Sequence, residues 1–580
     1  MFPAIGRETY RGTFPMQKST IGRVIAASAF AGLLMASTTA SAQVAKPHFE
    51  FKKPATTLIP GDLSYDTNGK SAPVSNAGAF VFGFEGISQY DAAGFRRNFV
   101  PPDTNGAVGK AQYMEVTNGA YAVYDKYTGA NLSLVADVAF WAAAGQTGAN
   151  GDSRVMYNAA AGRWIAMSFG GNAKDLQIAI SDTDNALGSW KSTKFEGYGG
   201  LGFGATADYP TLALDTNAVY IGTNNFAPAT AGGANGFRGT TMNVIPLDSL
   251  FSALAPTVAN MKQFVTPYVA GGSANADRGF AQQGVNSTTA GSTGNVISAS
   301  LFAYDSIGFQ VNGLTSASAT GATLGATDYL GQGAFASPSA GRQPSAAIAA
   351  NRRVIDTLDE RISSSVYEAN GRIYLVQTVD SGFDLLDESR VRYTVIDANT
   401  YAILDEGDIG QAGYDFYQGS IAVNALGEVV IGYNRSGLSA DDGKIRIYAQ
   451  TFTTNAAGEL VSQSGPIFLK ESLTDDYHNG SIFGQTAVGR QRWGDYSQVS
   501  IDPTDAHGFY LIGEFAREYN LPQFGHPGGT GGSRWGTFIA RISTAGAVPE
   551  SSTWLMMIAG FGFIGAGLRR RERVTAVTYG

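Results

Sequence analysis

The sequence predicts an all-β protein, and three observations support this fold class. Glycine accounts for 74 of the 580 residues, while aromatic residues make up 11% and charged residues only 15%. Glycine supplies tight turns, and tyrosine, phenylalanine and tryptophan suit the pleated surface of a sheet. The third observation is a strand–turn–strand pattern that recurs along the chain, with apolar residues alternating on both sides of each turn.

The N-terminus carries the pattern of a secretory signal peptide. A basic stretch, residues 16–23, precedes the apolar run VIAASAFAGLLMA and the small residues Ala40, Ser41 and Ala42. This order predicts a signal helix within residues 1–42 and cleavage after Ala42, because the run is too short for a membrane span. Met16 offers an alternative start, and a buried core helix is the alternative interpretation of the apolar run.

Residues 43–80 follow the predicted cleavage site and show no sustained apolar periodicity. They are rich in proline, lysine and small polar residues, a composition typical of linkers. We interpret them as a linker or a loosely held N-terminal extension, and we place the folded body at residues 81–545.

The body repeats one motif, in which a strand, a tight turn and a second strand follow one another. Six copies lie at residues 103–129, 154–169, 211–226, 364–378, 420–434 and 498–515. Their turns centre near positions 110, 160, 216, 370, 426 and 505. The long interval after position 216 leaves room for one or two more copies, and residues 285–311 are a candidate for one of them.

This repeat predicts a β-propeller of seven blades, with six or eight as alternatives. Repeats of about 40–50 residues with several strands each are typical of propellers. One such blade cannot bury both of its faces, so the blades must pack against one another in a ring. An array of β-sandwiches is the competing architecture, and a solenoid fits less well because the spacing of the motifs is uneven.

The chain ends on a short apolar segment followed by arginines. From Trp554 to Leu568 the residues are apolar or glycine, and Arg569, Arg570 and Arg571 follow. The segment is shorter than the roughly 20 apolar residues that span a bilayer comfortably. The arginines extend its reach and favour a cytoplasmic position for this end. We therefore predict a C-terminal hydrophobic sorting helix that holds an exported chain transiently in the inner membrane; a permanent anchor is the alternative.

Residues 547–573 as a whole resemble the PEP-CTERM sorting signal, and a short tail, 574–580, follows. The residues that carry this resemblance are Val548, Pro549, Glu550, Ser552, Thr553, Trp554, Arg569, Arg570 and Arg571. Ser551 departs from the commonest form, which has a second proline there. The resemblance implies a Gram-negative bacterium whose exosortase, a membrane-embedded transpeptidase-like enzyme, recognises the tail. The same module is also known as an ice-binding protein C-terminal domain.

Three phrases in the body resemble exported bacterial propellers that are similar in layout to sialidases. They are PPDTNGAVG from Pro101, ISDTDNALGSW from Ile180 and RWGDYSQVSIDPTD from Arg492. Residues 181–190 resemble an expanded Asp-box, which in sialidase-like propellers is a hairpin turn with a tryptophan packed beneath it. The resemblance therefore implies a fold and says little about chemistry.

Composition limits the cofactors and partners. The absence of cysteine excludes thiolate metal sites and cysteine nucleophiles, and a net charge of −8 without a basic stripe argues against nucleic acid as a partner. Asp182, Asp184 and Asn185 offer oxygen ligands for Ca²⁺, although the downstream acidic ligand of an EF-hand loop is missing. We expect no other cofactor.

A sialidase-like site would need arginines for a carboxylate, a Tyr–Glu nucleophile pair and an aspartic acid. The candidate catalytic residues are Asp495, Tyr496, Glu514, Arg492 and Asp208, and the further basic candidates are Arg154, Arg352 and Arg353. Two of the sequences involved, 208–210 and 492–496, each open a repeated hairpin, where a propeller faces its central channel. A closed network of structural ion pairs is the competing interpretation, and we favour it.

We therefore expect an exported surface or matrix protein whose propeller binds or organises extracellular polysaccharide without catalysis. The expected partners are the secretion machinery, an exosortase and, transiently, the membrane. A glycoside hydrolase or lyase acting on the same polymer is the alternative. An ice-binding or adhesion protein ranks third, because the body has no regular Thr-x-Thr repeat.

Overall fold

The computed structural model describes residues 78–545 with internal gaps, and strands dominate the described part. The gaps fall at residues 98, 201–205, 228–235, 253–254, 270–275, 288, 290–293, 348–352, 381–386, 479–487 and 520–532. The predicted signal peptide (1–42), residues 43–77 of the predicted linker, the sorting signal (547–573) and the tail (574–580) lie outside the described residues. The first strand begins at Ala79, two residues before the predicted start of the body.

Within the described residues, the strands form six sheets of four to nine strands and one two-stranded pair. The nine-stranded sheet consists of two antiparallel units joined by a parallel pair of strands, so we number seven antiparallel units as sheets 1–7. Sheet 1 contains β2 (Asn105–Val108), β3 (Gln112–Thr117), β4 (Ala120–Asp125) and β5 (Asn131–Ala136). Sheet 2 contains β6 (Arg154–Asn158), β7 (Arg163–Phe169), β8 (Asp175–Ser181) and β9 (Trp190–Glu196). Sheet 3 contains β10 (Thr206–Asp208), β11 (Ala213–Leu214), β12 (Ala218–Phe226), β13 (Phe237–Pro246) and β14 (Lys262–Pro267).

The second half of the body continues the same order. Sheet 4 contains β15 (Phe280–Ser287), β16 (Asn295–Ala299), β17 (Ser306–Asn312), β18 (Thr323–Leu324) and β19 (Asp328–Tyr329). Sheet 5 contains β21 (Val366–Ala369), β22 (Arg372–Asp380), β23 (Ser389–Asp397) and β24 (Ile403–Ile409). Sheet 6 contains β25 (Tyr414–Val423), β26 (Glu428–Gly437), β27 (Arg446–Thr454), β28 (Leu460–Ser462) and β29 (Ile467–Glu471).

Sheet 7 combines both ends of the body. It contains β31 (Gln498–Ile501), β32 (Gly508–Tyr519), β33 (Ser533–Ser543) and, outermost, the N-terminal strand β1 (Ala79–Ser88). A separate parallel pair joins β20 (Arg353–Ile355) to β30 (Gly489–Gln491). The sheets resemble the blades of a β-propeller, and the chain is all-β apart from short helices.

In the part of the chain that the structure describes, three short α-helices and one 3₁₀ helix connect the strands. They are α1 (Gln89–Gly94), α2 (Asp137–Ala143), α3 (Leu247–Leu250) and the 3₁₀ helix Pro344–Ala347. A capping box starts α1, because the Ser88 hydroxyl accepts from the Asp91 N–H and the Asp91 carboxylate accepts from the Ser88 N–H. None of the helices in the described part of the chain has the length and apolar character needed to cross a membrane.

The predicted turns fall at equivalent places in the sheets. Those near positions 110, 160, 216, 370, 426 and 505 connect the first and second strands of sheets 1, 2, 3, 5, 6 and 7. Residues 285–311 contain the corresponding β15–β16 connection of sheet 4. We call the first strand of each sheet its inner strand: β2, β6, β10–β11, β15, β21, β25 and β31.

The hydrophobic core lies between the faces of neighbouring sheets. Met114 and Val116 of sheet 1 pack in one cluster with Val155 and Trp164 of sheet 2. A further cluster spans sheets 5, 6 and 7. Because both faces of a sheet are covered in this way, β12 is buried at all nine positions, its polar residues included. This strand is apolar from Ala218 to Ile221 and polar from Thr223 to Asn225, where the side chains form hydrogen bonds within the protein.

Hydrogen bonds tie the inner strands to one another in ring order. Val155 N donates to Asn105 Oδ1 between sheets 2 and 1, and Asn286 Nδ2 donates to the Val366 carbonyl between sheets 4 and 5. Five further hydrogen bonds join the other pairs of neighbouring sheets. With the donor given first, they are Arg154 to Pro210 O, Leu214 N to Asn286 Oδ1, Asn370 to Ala425 O, Ser497 to Gln418 O and Asn105 to Gln498 Oε1. Every sheet therefore has two such neighbours.

The N-terminal strand β1 is fastened to sheets 1 and 7 by a buried glutamate. Glu115 of β3 accepts hydrogen bonds from the Ile87 N–H at 3.0 Å, the Tyr124 hydroxyl at 2.8 Å and the Thr537 hydroxyl at 2.5 Å. Burial raises the pKa of Glu115 from 4.5 to about 7, and these three donors act in the opposite direction.

A buried ion pair joins the same two sheets. The Lys126 ammonium donates to Asp502 Oδ1 at 2.7 Å and to the Thr504 hydroxyl at 2.6 Å, and neither charged side chain is more than 1% exposed. Lys126 follows β4 of sheet 1, whereas Asp502 follows β31 of sheet 7. Loss of one partner would leave the other charge buried and unpaired, so the pair makes separation of the two sheets unfavourable.

We predict that Glu115→Gln flattens the pH dependence of stability. A carboxyl whose pKa is higher in the folded than in the unfolded state binds more protons when folded, so stability is fully present below pH 4.5 and falls as the pH rises towards 7. Glu115 alone should account for a loss of about 3 kcal/mol over this range. The measurement is the free energy of unfolding in urea at pH 4.5, 6 and 8.

The matched control is Glu459→Gln, which changes an exposed glutamate in the turn before β28. The control should follow the wild-type pH profile. Equal pH profiles for Glu115→Gln and the wild type would contradict the assignment of a raised pKa to Glu115.

Candidate functional site

Charged and aromatic side chains gather where the inner strands begin. The charged cluster, as we call this group, consists of Asp103, Asp152, Arg154, Asp208, Tyr209, Asp356, Asp359, Arg361, Arg490, Arg492, Asp495, Tyr496 and Glu514. Most of these residues lie at or just before the first strand of a sheet. Because all inner strands run in the same direction along the channel, their starting ends meet at one end of it.

The backbone at this end repeats one unusual conformation. At this end, five non-glycine residues have φ between +49° and +54°: Asp103, Asp152, Tyr209, Ala281 and Gln418. In each case, the residue six positions later in the chain is either the last residue of the inner strand or the residue that directly follows that strand. A left-handed conformation at a non-glycine residue is strained and persists where the surroundings fix it. The side chains of these five residues differ in chemical type, so the sequence alone does not reveal the repeated conformation.

Three arginines of the cluster are already paired with carboxylates. Arg361 donates from Nε and Nη2 to the two oxygens of Asp359, at 2.7 and 2.9 Å. Arg492 contacts Asp495 at 2.5 Å, and Arg490 forms an ion pair with Asp356. Arg361 is fully buried. The ion pairs satisfy these cations within the protein.

Two tyrosines form the aromatic centre of the cluster. The guanidinium of Arg154 lies 3.3 Å from the ring centre of Tyr496, and that of Arg361 lies 4.4 Å from the ring centre of Tyr209. The two rings meet edge to face at 5.9 Å. The Tyr209 hydroxyl donates to the Asp495 carbonyl at 3.1 Å. The sequences 208–210 and 492–496, far apart in the chain, are therefore in direct contact.

Four carboxyl groups of the cluster have raised pKa values. Burial raises the pKa of Asp208 from 3.8 to about 7, and the nearby charge of Asp495 raises it further, while Arg361 acts in the opposite direction. Burial also raises the pKa values of Asp103, Asp152 and Glu514 well above their usual range. The cluster thus contains more carboxyl groups than arginines, and burial without a full counter-charge disfavours the charged form of these carboxyl groups.

Glu514 lies in β32, behind the inner strands, and is fully buried. It is close to Gln418 and to the chain at Gly494. A Cβ at Gly494 would come within 2.2 Å of Glu514 Oε1 and 2.3 Å of Gln418 Nε2. Glycine in the sequence RWGDY is therefore required by this close approach.

The remaining sequence candidates lie elsewhere. Arg353 is in β20 and pairs with Asp476, and Arg352 lies outside the described residues. The structure therefore brings Asp208, Arg492, Asp495, Tyr496 and Glu514 together with Arg154. It adds Asp103, Asp152, Asp356, Asp359, Arg361 and Arg490, which the sequence analysis did not name as site candidates. Asp103 lies in the phrase PPDTNGAVG, which was used there only as a sign of the fold.

The three Ca²⁺ candidates lie in the turn between β8 and β9. Asp182 is 3.2 Å from Lys191, Asp184 is 3.4 Å from Lys110, and Asn185 Oδ1 accepts from Gln112 at 2.8 Å. Among the described residues, no group of three or more histidine, aspartate or glutamate side chains is arranged to hold a metal ion. Trp190 packs edge to face on Phe140 at this turn.

A cavity of about 510 Å³ occupies the opposite end of the channel. It is formed where the inner strands end and their turns begin, about six residues and roughly 20 Å from the charged cluster. The polar residues that line it are Asn158, Asp215, Thr216, Asn286, Ser287, Thr289, Tyr367, Glu368, Asn370, Asn424, Gln498 and Ser500. Apolar walls come from Val108, Val155, Leu214, Val423 and Ile501.

Two of the four asparagines that line the cavity, Asn158 and Asn424, hold turns. Asn424 Oδ1 accepts from the Leu426 and Glu428 N–H groups, and Asn158 Oδ1 accepts from the Ala161 N–H. These residues explain why asparagine and aspartate recur at the predicted turn centres. The sequence analysis identified the turns but did not predict that they surround a cavity.

A hydrogen-bond network crosses the channel beside the cavity. Gln498 Oε1 accepts from Ser365 Oγ at 3.0 Å, and its Nε2 donates to the Tyr367 hydroxyl at 3.1 Å. The Tyr367 hydroxyl in turn donates to the Val499 carbonyl at 3.2 Å. Sheets 5 and 7 are thereby connected across the channel, which fixes the shape of the cavity.

Comparison with known proteins shows similarity in structure only. No protein-family model and no curated protein matches the chain. Similar solved structures include a Trypanosoma rangeli sialidase (11% identity, TM-score 0.31, 69% of this chain and 55% of that one) and a Fusarium graminearum α-L-arabinofuranosidase (9%, 0.32, 80% and 98%). The N-terminal domain of Nup159 is a third (8%, 0.34, 81% and 97%). The chain spans little more than half the length of the sialidase.

We predict that Arg361→Lys destabilises the protein by about 2–3 kcal/mol. Lysine keeps the positive charge but cannot form the bidentate ion pair with Asp359 or stack on the Tyr209 ring as a guanidinium does. Arg372→Lys is the matched control, since Arg372 donates at the surface to the Ala456 carbonyl. Thermal and urea unfolding of both variants provide the measurement. An effect below about 0.5 kcal/mol for Arg361→Lys would show that the charged cluster does not support the fold.

Proposed function

We propose that this chain is an exported, seven-bladed β-propeller that binds or organises extracellular polysaccharide without catalysis. The observation that carries the proposal is the cavity of about 510 Å³ at the end of the inner strands. Its apolar walls suit the C–H faces of sugar rings, and its hydroxyl and amide groups suit their hydroxyls. Cavities of this size are typical of small-ligand sites.

The proposed ring of seven blades rests on the order of the sheets. Each inner strand is hydrogen-bonded to two neighbours, and β1 completes sheet 7 by pairing with β33 from Ala79 to Ser88. Joining the first and last strands in one sheet ties the two ends of the body together, as expected for a closed ring of blades.

The charge balance of the charged cluster favours binding over sialidase-like catalysis. An anionic sugar needs arginines that are free to receive its carboxylate. Here Arg361, Arg490 and Arg492 are paired with Asp359, Asp356 and Asp495. The buried carboxyl groups beside them would repel a further anion.

Hydrolysis remains the second candidate function, because one observation favours it. The pKa of Asp208 is raised to about 7 next to Asp495, and an aspartic acid that is half protonated at neutral pH can serve as a general acid. In this alternative, Asp208 donates the proton, Asp495 or Glu514 acts as the second carboxylate, and Arg492 and Tyr496 contact the substrate.

Export and sorting belong to the same proposal. The signal peptide, the PEP-CTERM-like tail, the exosortase and the position at the cell surface or in the matrix all rest on residues 1–42 and 547–573. The ice-binding alternative gains no support from the cavity, because ice binding requires a flat, regular surface.

The test is binding of the host's extracellular polysaccharide to wild type and two matched variants. Ala425→Trp places a bulky ring at the mouth of the cavity, in an Asn-x-x-Gly turn. Ala456→Trp makes the same change in an equivalent turn at the outer edge of sheet 6, where Asn455 accepts from the Ala457 and Glu459 N–H groups. Both alanines are exposed, so both variants should fold.

We expect Ala425→Trp to weaken binding at least tenfold and Ala456→Trp to leave it unchanged, as measured by equilibrium dialysis. The molar mass of the polymer, followed by light scattering, should stay constant or rise with bound protein. A fall in molar mass that disappears in Asp208→Asn would support the hydrolase instead. Equal binding by both tryptophan variants would exclude the cavity as the site.

A further inference from the structure

The cavity contains acidic side chains and no basic ones. Of its described lining residues, Asp215 and Glu368 carry carboxylates, and none is lysine, arginine or histidine. The other polar lining groups are amides and hydroxyls. The electrostatic potential in the cavity is therefore negative, and an anionic ligand would be repelled.

Asp215 is occupied by contacts within the protein. Its Oδ1 accepts from the Asn217 N–H at 2.7 Å and the Ala218 N–H at 2.9 Å, and its Oδ2 accepts from the Tyr220 hydroxyl at 2.7 Å. These bonds hold the turn before β12. Asp215 thus contributes charge to the cavity without offering a free binding group.

Glu368 differs from Asp215 in its hydrogen bonding. It lies in β21 next to Ser287 of the parallel strand β15. Its Oε2 atom is buried and has no hydrogen-bond partner. Burial raises the pKa of Glu368, the charge of Asp215 adds to the rise, and the Ser287 hydroxyl acts in the opposite direction. Among the described residues, no lysine, arginine or histidine forms an ion pair with Glu368, and none lines the cavity.

We propose that the cavity binds a saccharide residue with a free amino group, whose ammonium donates to Glu368. This inference rests on the proposed function and names the ligand class of the same site. An ammonium beside this carboxylate supplies a counter-charge, and a charge-assisted hydrogen bond is about twice as strong as a neutral one. A uronic acid would instead place a second carboxylate beside Glu368 and Asp215.

The experiment uses isothermal titration of the full chain with three probes of equal length. These are glucosamine oligomers, N-acetylglucosamine oligomers and galacturonic acid oligomers, each titrated at pH 6, where the amine is charged. We expect the glucosamine oligomers to bind at least tenfold more tightly than the acetylated ones, and the galacturonate oligomers to bind most weakly. Glu368→Gln should abolish the preference for the amine, whereas Glu459→Gln, a surface change, should retain it.

A second measurement does not depend on a folded variant. The affinity of the wild type for glucosamine oligomers should fall at least threefold between 20 and 300 mM NaCl, while that for acetylated oligomers should stay constant. Equal affinity for both oligomers, or tightest binding of galacturonate, would overturn the inference. Those results would leave the proposed function standing as long as Ala425→Trp still weakens binding of the host polymer.

Discussion

Pairing of the N-terminal strand β1 with β33 is the constraint on which the ring of sheets depends. Sheet 7 takes its outermost strand from the beginning of the body and its other strands from the end. Glu115 and the Lys126–Asp502 ion pair then connect this composite sheet to sheet 1. Glu115, Lys126 and Asp502 are all buried. Their hydrogen bonds and ion pair therefore stabilise the fold only when strands from both ends of the body are in place.

Closing the ring brings the inner strands together and gives the channel two different ends. At the starting end, three arginines pair with carboxylates and two stack on tyrosines, and the left-handed residue Tyr209 lies within these contacts. At the other end, the turns leave a cavity in which Glu368 lacks a cationic partner. We therefore assign the starting end to stability, and we propose the end with the cavity as the ligand site.

More of the fold than of the candidate site could be predicted from the sequence. Alternating apolar residues around Asn158, Asp215 and Asn424 gave the hairpins, because turn chemistry is local. Sequence position also indicated that Asp208 and Asp495 face the channel. Asp103, Asp359 and Arg361 were missed, because their roles arise only when distant sheets meet. The cavity was missed for the same reason, since its walls come from residues as far apart as Gly106 and Pro503.

The most direct test of the account is a crystal structure of the protein with a bound oligosaccharide from the host polymer. We predict density for the sugar in the cavity lined by Asn286, Glu368 and Asn424, with a polar group of the ligand within about 3 Å of Glu368. Density at the opposite end, between Asp208 and Asp495, would contradict the account and assign the charged cluster to catalysis.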